Sequence, residues 1–283
     1  MEAGDLLRLS PEGIGFFVGA SMTSHTNSHT TFVVGLSGGL GKSLLAELRR
    51  RSFTILGSFH SRPLPEAGFA MDLCDPASIL SVSRELKNRN VALDSLVLNA
   101  GLSVLGPQLA IGDHEYERAF RVNFFGPREV IRAFLPLMKP EAKILIVGSV
   151  ASWGSLPYGG AYSLSKLVAR SFAEILGQEL SLRPETRGIR VVHVEPGAYA
   201  TGIWKSGVDG LERTLGKNSR FPALLAKLAR GSSDPAHFGR KITAILERKR
   251  PRIYYRFGAF SLLSRLSSFV PFSFRVRVLR GIG

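Results

Sequence analysis

Three side chains that together could move a proton lie between Ser149 and Lys166. Tyr162 and Lys166 are four residues apart, so on a helix they project from one face with Cβ atoms about 5–6 Å apart. Ser149 follows the apolar run 143–148, which is typical of a buried strand. A nearby cation favours the phenolate of a tyrosine and brings its pKa, ordinarily about 10, towards the working range. The constellation therefore predicts acid–base chemistry, although Tyr-x-x-x-Lys alone more often marks a solvated helix face.

A glycine-rich turn between a strand and a helix predicts a phosphate site. Residues 31–36 form a short apolar run, and an amphipathic helix is predicted over 44–51, after the turn Ser37-Gly38-Gly39-Leu40-Gly41-Lys42-Ser43. Glycines allow a tight turn and a close approach of the backbone to a pyrophosphate at a helix N-terminus. A P-loop would need glycine at position 36, which is leucine. The pattern Gly35-x-x-x-Gly39-x-Gly41 fits a dinucleotide, and a purely structural loop is the other interpretation.

The end of the second predicted strand, 53–57, bears on the type of dinucleotide. An acid about 20 residues after the first glycine would hold the ribose hydroxyls of NAD. No acid lies in the stretch 58–62 that follows this strand, whereas His60 and Arg62 could face a 2′-phosphate. The sequence therefore favours NADP(H) over NAD(H), with a solvated surface arginine as the alternative interpretation.

The remaining elements alternate between strands and helices. Near-continuous apolar strands that alternate with amphipathic helices indicate a parallel sheet covered on both faces, which is an α/β fold. The predicted strands cover 69–73, 93–98, 143–148 and 189–195, and the helices cover 76–87, 113–124, 127–138 and 160–182. Asn123, in the second of these helices, carries an amide that needs hydrogen-bond partners if it is buried.

Composition sets broad limits on the class of protein. The chain has 283 residues, an apolar fraction of 45% and one cysteine, Cys74, which excludes an internal disulfide framework. No uncharged apolar run approaches the about 20 residues that a membrane-spanning helix needs. The net charge of +15 indicates an anionic partner: a phosphorylated cofactor, a membrane surface or nucleic acid.

Taken together, these residues resemble the short-chain dehydrogenase/reductase family over about residues 31–255. The matches stand in the family's order and spacing: Gly35-x-x-x-Gly39-x-Gly41, Asp72, Asn99-Ala100-Gly101, Asn123, Ser149, Tyr162-x-x-x-Lys166 and Pro196-Gly197. The resemblance implies one Rossmann-like domain, a doubly wound parallel sheet of about seven strands with a small helical lid. Val34 and Leu98 depart from the family pattern, which usually has Thr and Asn there, but neither removes a catalytic group.

The resemblance also implies a role for each matching residue. Tyr162 would exchange a proton with the substrate oxygen, Lys166 would lower the pKa of Tyr162 and bind the nicotinamide ribose, and Ser149 would polarise the carbonyl. Asn123 would hold a water that links Lys166 to solvent. The implied cofactor contacts are Gly35, Ser37, Gly39, Leu40, Gly41, His60, Arg62, Asp72, Asn99, Ala100, Gly101, Tyr162, Lys166, Pro196, Gly197 and Thr201. With the catalytic set complete, we expect an active enzyme that interconverts an alcohol and a carbonyl; the alternative is a non-catalytic NADP(H)-binding regulator.

The segment 202–230 is expected to cover the substrate. Its apolar residues include Trp204, Leu211 and Phe221, and they suit a lipophilic alcohol or ketone such as a steroid, a retinoid or a fatty-chain compound. The stretch from Glu195 to Trp204 resembles family members that act on retinol or steroids. Apolar packing of the lid itself is the alternative explanation.

Both ends of the chain are expected to lie outside the catalytic domain. Residues 1–30 are predicted to be a disordered extension, with a targeting segment as the alternative. From Arg248 to Arg280 there are nine Lys or Arg and no acid, and apolar residues from Phe257 to Val270 recur at helical spacing. A basic amphipathic tail over 256–283 predicts contact with an anionic membrane surface, or packing on the enzyme or a second subunit.

These features predict the location and the partners of the protein. We expect a cytoplasmic protein, with peripheral membrane association as a further hypothesis. By analogy with the family we expect a homodimer or homotetramer, paired through the helices at 127–138 and 160–182. No nucleic-acid module is recognisable, so a nucleic-acid partner is not expected, and no metal site is predicted.

Overall fold

The computed structural model describes residues 29–61, 63, 68–153, 157–216, 219–261 and 269–280. Within these residues seven parallel strands form one sheet in the order β3-β2-β1-β4-β5-β6-β7. The strands are β1 Thr30–Val34, β2 Thr54–Phe59, β3 Gly68–Ala70, β4 Leu93–Leu98, β5 Met138–Val147, β6 Arg190–Pro196 and β7 Tyr254–Phe257. The parallel α/β sheet predicted from the alternating apolar segments is confirmed, and so is the seven-stranded Rossmann-like domain that the family resemblance implies.

Helices cover both faces of this sheet. They are α1 Gly39–Arg50, α2 Pro76–Asn88, α3 Asp113–Phe120, α4 Gly126–Phe134, α5 Gly160–Ser181, α6 Ile203–Leu215, α7 Arg220–Arg230, α8 Pro235–Leu246 and α9 Phe272–Arg280. A π-helical segment, Arg121–Phe125, joins α3 to α4. None of the described helices combines the length and the hydropathy needed to cross a bilayer.

Alternation along the strands divides the interior into two cores. Phe32 belongs to the core on one face, with Phe134 of α4, whereas its neighbour Val33 packs on the other face with Leu44 of α1 and Phe238 of α8. Successive side chains of a strand point to opposite faces, so an apolar run fills both cores at once. This packing fixes the carboxyl ends of β1, β4, β5 and β6 along one edge.

Several predicted segments have different boundaries in the structure. Helix α1 begins at Gly39, five residues before the predicted start at 44. The helix predicted over 127–138 ends as α4 at Phe134, because Pro136 lacks the N–H group that would continue it, and a short 3-10 turn follows. Strand β5 then begins at Met138, five residues earlier than predicted.

The tail prediction is wrong at its start. Phe257 belongs to β7 and packs against the core beside Phe238, so it is not part of an amphipathic helix. The predictions for residues 1–28 lie outside the described residues, and the helical segment expected over the substrate forms α6 and α7.

Candidate active site

A cavity of about 1380 Å³ opens at the carboxyl edge of the sheet. Fifteen of the predicted site residues line it: Gly35, Ser37, Gly39, Leu40, His60, Asp72, Asn99, Ala100, Gly101, Ser149, Tyr162, Lys166, Pro196, Gly197 and Thr201. Gly41 and Asn123 do not line the cavity, and Arg62 lies outside the described residues. Its volume exceeds the range of about 300–1,000 Å³ usual for a drug-sized ligand, so it has room for a cofactor and a second molecule.

The glycine-rich turn is packed too tightly for side chains. Gly35 has φ +84°, and a Cβ on it would lie 2.9 Å from Cα of Ala100. A Cβ on Gly41 would lie 2.3 Å from the carbonyl oxygen of Gly35. Helix α1 begins within this turn, at Gly39, with neither a side-chain cap nor an acid in its first turn. Its N-terminal N–H groups and positive dipole end therefore suit an anion at the cavity wall.

Asn99 links this turn to the end of β4. Its Nδ2 donates to the carbonyl oxygen of Gly35 over 3.0 Å, whereas its Oδ1 is buried without a partner among the described residues. A buried acceptor without a hydrogen bond is costly. The side chain therefore keeps one acceptor for a ligand that enters the cavity.

The cavity wall near β2 carries charged groups from several elements. His60 is exposed, and its Nε2 lies 3.8 Å from Oδ2 of Asp72, whose Oδ1 accepts from the backbone N–H of Cys74. Arg118 and Arg121 also line the cavity, although sequence reasoning missed them. No motif in the sequence distinguishes these two arginines from other surface arginines of a helix.

Ser149 and Tyr162 both line the cavity. Ser149 is buried at the end of β5, and its Oγ also accepts from the N–H of Ala151 over 3.1 Å. Burial raises the pKa of Tyr162 because the phenolate loses contact with water, and the Ser149 hydrogen bond opposes this rise only in part. The expected lowering of the tyrosine pKa is therefore wrong for the protein alone, because desolvation outweighs the favourable contacts.

Lys166 is buried one helical turn after Tyr162. Its Nζ donates to the carbonyl oxygen of Val147 over 2.9 Å and lies 5.9 Å from the centroid of the Tyr162 ring. Burial lowers the pKa of Lys166 to about 8, because the ammonium ion is desolvated. Below that pH the side chain is mainly a cation.

Asn123 links the segment after β4 to α5 through hydrogen bonds. Its Oδ1 accepts from the N–H of Leu102 over 2.8 Å, and its Nδ2 donates to the carbonyl oxygen of Leu102 over 2.8 Å and to Oγ of Ser165 over 2.9 Å. It lies on the π-helical segment Arg121–Phe125. The amide thus holds Leu102 and Ser165 together, and its predicted water-binding role remains a prediction.

The other end of the cavity is apolar. Phe221 packs edge-to-face on Tyr158, with ring centroids 4.6 Å apart. Further apolar side chains come from α6, α7 and the segments after β4 and β7, and the lining includes Leu105, Leu211, Leu224, Leu225 and Phe260. Of the lid residues named from the sequence, the side chain of Trp204 lies outside the described set.

Comparison with known proteins points to one family. A family model described as short chain dehydrogenase matches residues 29–211. Retinol dehydrogenase 16 of Mus musculus is 30% identical over 209 residues, covering 68% of this chain and 63% of its own length. The 3-ketodihydrosphingosine reductase of Bacteroides thetaiotaomicron is 24% identical over 254 residues, covering 84% of this chain and 92% of its own length.

Solved structures agree with the fold. A short chain dehydrogenase from Burkholderia cenocepacia in complex with NADP has a TM-score of 0.66 at 22% identity, covering 89% of this chain and 98% of that one. A short chain dehydrogenase/reductase from Burkholderia phymatum in complex with NAD has a TM-score of 0.68 at 19% identity, covering 80% of this chain and 88% of that one.

Proposed function

Because the chain belongs to the short-chain dehydrogenase family, we propose that it interconverts an alcohol and a carbonyl on a lipophilic molecule with NADP(H). The observation that carries this proposal is the meeting of Ser149, Tyr162 and Lys166 in one cavity with the glycine-rich turn.

The residues of the cavity fit a dinucleotide. The close packing around Gly35 and Gly41 leaves space beside the N-terminus of α1 for a pyrophosphate, and Oδ1 of Asn99 is an unused acceptor. When bound, the nicotinamide supplies or accepts the hydride. Lys166 would hold its ribose, and the turn from Pro196 to Thr201 would line the nicotinamide side.

Tyr162 acts as the acid in carbonyl reduction. Its raised pKa keeps the phenol protonated at neutral pH, so it can donate to the substrate oxygen. Ser149 lines the cavity with Tyr162 and can donate to the same oxygen as negative charge develops there. Lys166 is mostly cationic at neutral pH and can return a proton to the phenol. Alcohol oxidation reverses these transfers.

The preference for NADP(H) rests on charge. No acid lies at positions 60–62, directly after β2, and His60, Arg118 and Arg121 line the cavity together with Asp72. A 2′-phosphate is a dianion, so the basic side chains of the cavity wall would attract it. The net charge of +15 acts in the same direction. The B. cenocepacia protein, in complex with NADP, supports the choice of NADP(H). The B. phymatum protein, which has a similar fold, is in complex with NAD.

The proposed substrate is apolar except for its reacting oxygen. The wall formed by Leu105, Leu211, Phe221 and Phe260 offers van der Waals contact but few polar partners. The names of the relatives, a retinol dehydrogenase and a ketodihydrosphingosine reductase, support a retinoid, steroid or fatty-chain compound.

Two surfaces support proposals about assembly. Leu164, Leu167 and Ile175 of α5 and Phe125 expose apolar side chains, which suits pairing of subunits through α4 and α5. Separately, Phe272 and Phe274 of α9 are exposed beside basic residues, which suits contact with an anionic bilayer. We include both in the proposal: an oligomer that binds membrane surfaces peripherally.

A fluorescence titration with NADPH, NADH and ATP in parallel tests the cofactor proposal. We expect the tightest binding for NADPH, and a smaller preference over NADH in His60→Ala, because that substitution removes a group that can contact the 2′-phosphate. Tighter binding of NADH would overturn the cofactor choice and leave the chemistry standing. Binding of ATP alone would overturn the proposed function.

A further inference from the structure

Two titratable side chains lie inside the sheet, on β6, away from the motif residues. His193 and Glu195 are both fully buried. They alternate along the strand and therefore point to the same face of the sheet, the face that α5 covers. A buried charge is tolerated only where other groups pair with it, so the partners of Glu195 indicate what the carboxylate does.

The carboxylate of Glu195 joins four segments of the chain. Its Oε2 accepts from Nε of Arg256 on β7 over 2.9 Å and also from Nη2 of that residue. Its Oε1 accepts from the indole N–H of Trp153 and lies 3.8 Å from Nε of Arg170 on α5. Nδ1 of His193 is 3.5 Å away from the same oxygen. We call these five residues the Glu195 cluster.

Trp153 is held in this cluster by its ring as well as by its N–H group. The guanidinium carbon of Arg170 lies 3.5 Å from the ring centroid, and that of Arg256 lies 4.7 Å from it. Guanidinium groups bind aromatic faces more strongly where water is excluded. Two cations and one carboxylate thus fix the position of a single indole.

The carboxylate stays ionised in this environment. Burial alone would raise the pKa of Glu195, but hydrogen bonds from His193, Trp153 and Arg256 outweigh it and hold the pKa below its ordinary value. The carboxylate of Glu195 therefore keeps its negative charge, and continues to accept the hydrogen bond from Trp153, throughout the neutral range.

The cluster connects directly to the catalytic serine. Trp153 ends the short loop that begins at Ser149, and Oγ of Ser152 in this loop donates to the carbonyl oxygen of Ser149 over 2.7 Å. Oγ of Ser152 also lies 3.4 Å from Oε1 of Glu195. Arg170 is one helical turn beyond Lys166. None of the five cluster residues lines the cavity, so none can touch the substrate in this arrangement.

We propose that Trp153 and Glu195 are positioning residues that hold the Ser149 loop so that Ser149 stays beside Tyr162 in the cavity wall. The inference deepens the proposed function and rests on it for its effect on turnover. The environment of the Tyr162 hydroxyl, in contrast, is a property of the protein alone and can be measured without a substrate.

The first test is kinetic and uses Trp153→Phe, which keeps a ring between the arginines but removes the N–H donor. With NADPH and all-trans-retinal as the probe, we expect kcat to fall between about 10-fold and 100-fold, because small displacements of a catalytic group have effects of this size. The dissociation constant of NADPH should stay within about twofold, since the glycine-rich turn is untouched. In a protein that already carries Ser149→Ala, Trp153→Phe should lower kcat little further, because the effects of residues that act as a unit are not additive.

The second test does not need turnover. The 13Cζ chemical shift of Tyr162, assigned by its loss in Tyr162→Phe, should move in Glu195→Gln and Trp153→Phe towards its value in Ser149→Ala. Glu47→Gln is the matched control, because Glu47 is another buried carboxylate with two arginines, Arg50 and Arg51, but belongs to α1. The control should leave the Tyr162 shift unchanged even where it lowers stability.

Either of two results would overturn the positioning role. One is a Tyr162 shift that stays at the wild-type value in both cluster variants while Ser149→Ala moves it. The other is an equal loss of kcat for Trp153→Phe with and without Ser149, which would indicate a general effect on folding. If the wild-type protein shows no turnover, the proposed function fails separately and the chemical shifts still decide the inference.

Discussion

Tyr162 and Lys166 are both buried away from water, and burial shifts their pKa values in opposite directions. Burial disfavours the charged form of each group, so it raises the pKa of the phenol and lowers that of the ammonium to about 8. The neutral phenol therefore keeps its proton at neutral pH. Such a pair suits the donation of a proton to a carbonyl oxygen better than the withdrawal of one from an alcohol.

The buried Lys166 should cost the protein stability below pH 8. Its pKa falls from 10.5 to about 8 on folding, so between these values the unfolded chain holds more protons than the folded one. The free energy of unfolding then rises with pH across this window, and below it the buried cation costs about 3 kcal/mol. Lys166→Met should therefore be more stable than the wild type at pH 7, by up to that amount, and should lose this advantage near pH 10.5.

Urea unfolding at pH 7, 8.5 and 10 measures this effect. Lys87→Met serves as the control, since Lys87 is exposed on α2 and its replacement should not change the pH dependence. A Lys166→Met protein that is less stable than wild type at pH 7 would show that the hydrogen bond to Val147 outweighs desolvation.

The sequence predicts which site residues lie together only where those residues are close along the chain. Tyr162 and Lys166 share one helix face, and Gly35, Gly39 and Gly41 share one turn, so spacing alone brings them together. Glu195 and Arg256 are 61 positions apart, and only the pairing of β6 with β7 joins them. Nothing local in the sequence indicates such a contact.

At the scale of elements, the ends of β6 and β7 carry much of the site. Gly197 donates its N–H to the carbonyl oxygen of Phe257, and Ala198 donates its N–H to that of Ala259. The predicted nicotinamide turn is thus hydrogen-bonded to the segment that leads into the tail. Helical spacing in the sequence suggested that Phe257 begins the tail, because apolar periodicity alone cannot tell a short edge strand from the start of a helix.

Helix α9 should bind anionic bilayers through its aromatic side chains and its basic side chains. Phe272 and Phe274 are 75% and 55% exposed, and Arg277 and Arg280 are exposed as well. With vesicles that contain phosphatidylserine, Arg277→Gln combined with Arg280→Gln should weaken binding by about 2 kcal/mol, or about 30-fold, because each basic residue contributes about 1 kcal/mol near such a surface. Phe272→Ser combined with Phe274→Ser should weaken binding to neutral and anionic vesicles alike.

Leu182→Ser is the matched control in the same sedimentation assay. Leu182 is equally exposed, at 81%, but it follows the C-terminal end of α5, at the opposite edge of the sheet from Tyr162. Its loss should leave vesicle binding unchanged. Wild-type protein that stays in solution with anionic vesicles would contradict the membrane proposal.

At the scale of the whole molecule, the parallel sheet explains why distant motifs meet. The glycine-rich turn, Asn99, Ser149 and Pro196 follow four different strands, β1, β4, β5 and β6, and parallel strands place their carboxyl ends at one edge. Alternating apolar segments are enough to predict such a sheet, and with it the common location of these residues. The contributions of Ser58, Arg118 and Arg121 to the cavity were not predictable, because they depend on how a helix or strand is rotated against its neighbours.

The most direct test of the proposed chemistry follows the hydride itself. Purified protein is incubated with NADPH deuterated at C4 on either face and a panel of lipophilic aldehydes and ketones that includes all-trans-retinal. The proposed function predicts that one of the two labels appears on the carbinol carbon of an alcohol product, and that Tyr162→Phe binds NADPH normally but lowers this transfer by at least about 100-fold. Transfer at the wild-type rate in Tyr162→Phe would contradict the assignment of the acid, and the absence of label in every alcohol despite tight NADPH binding would contradict the proposed reaction.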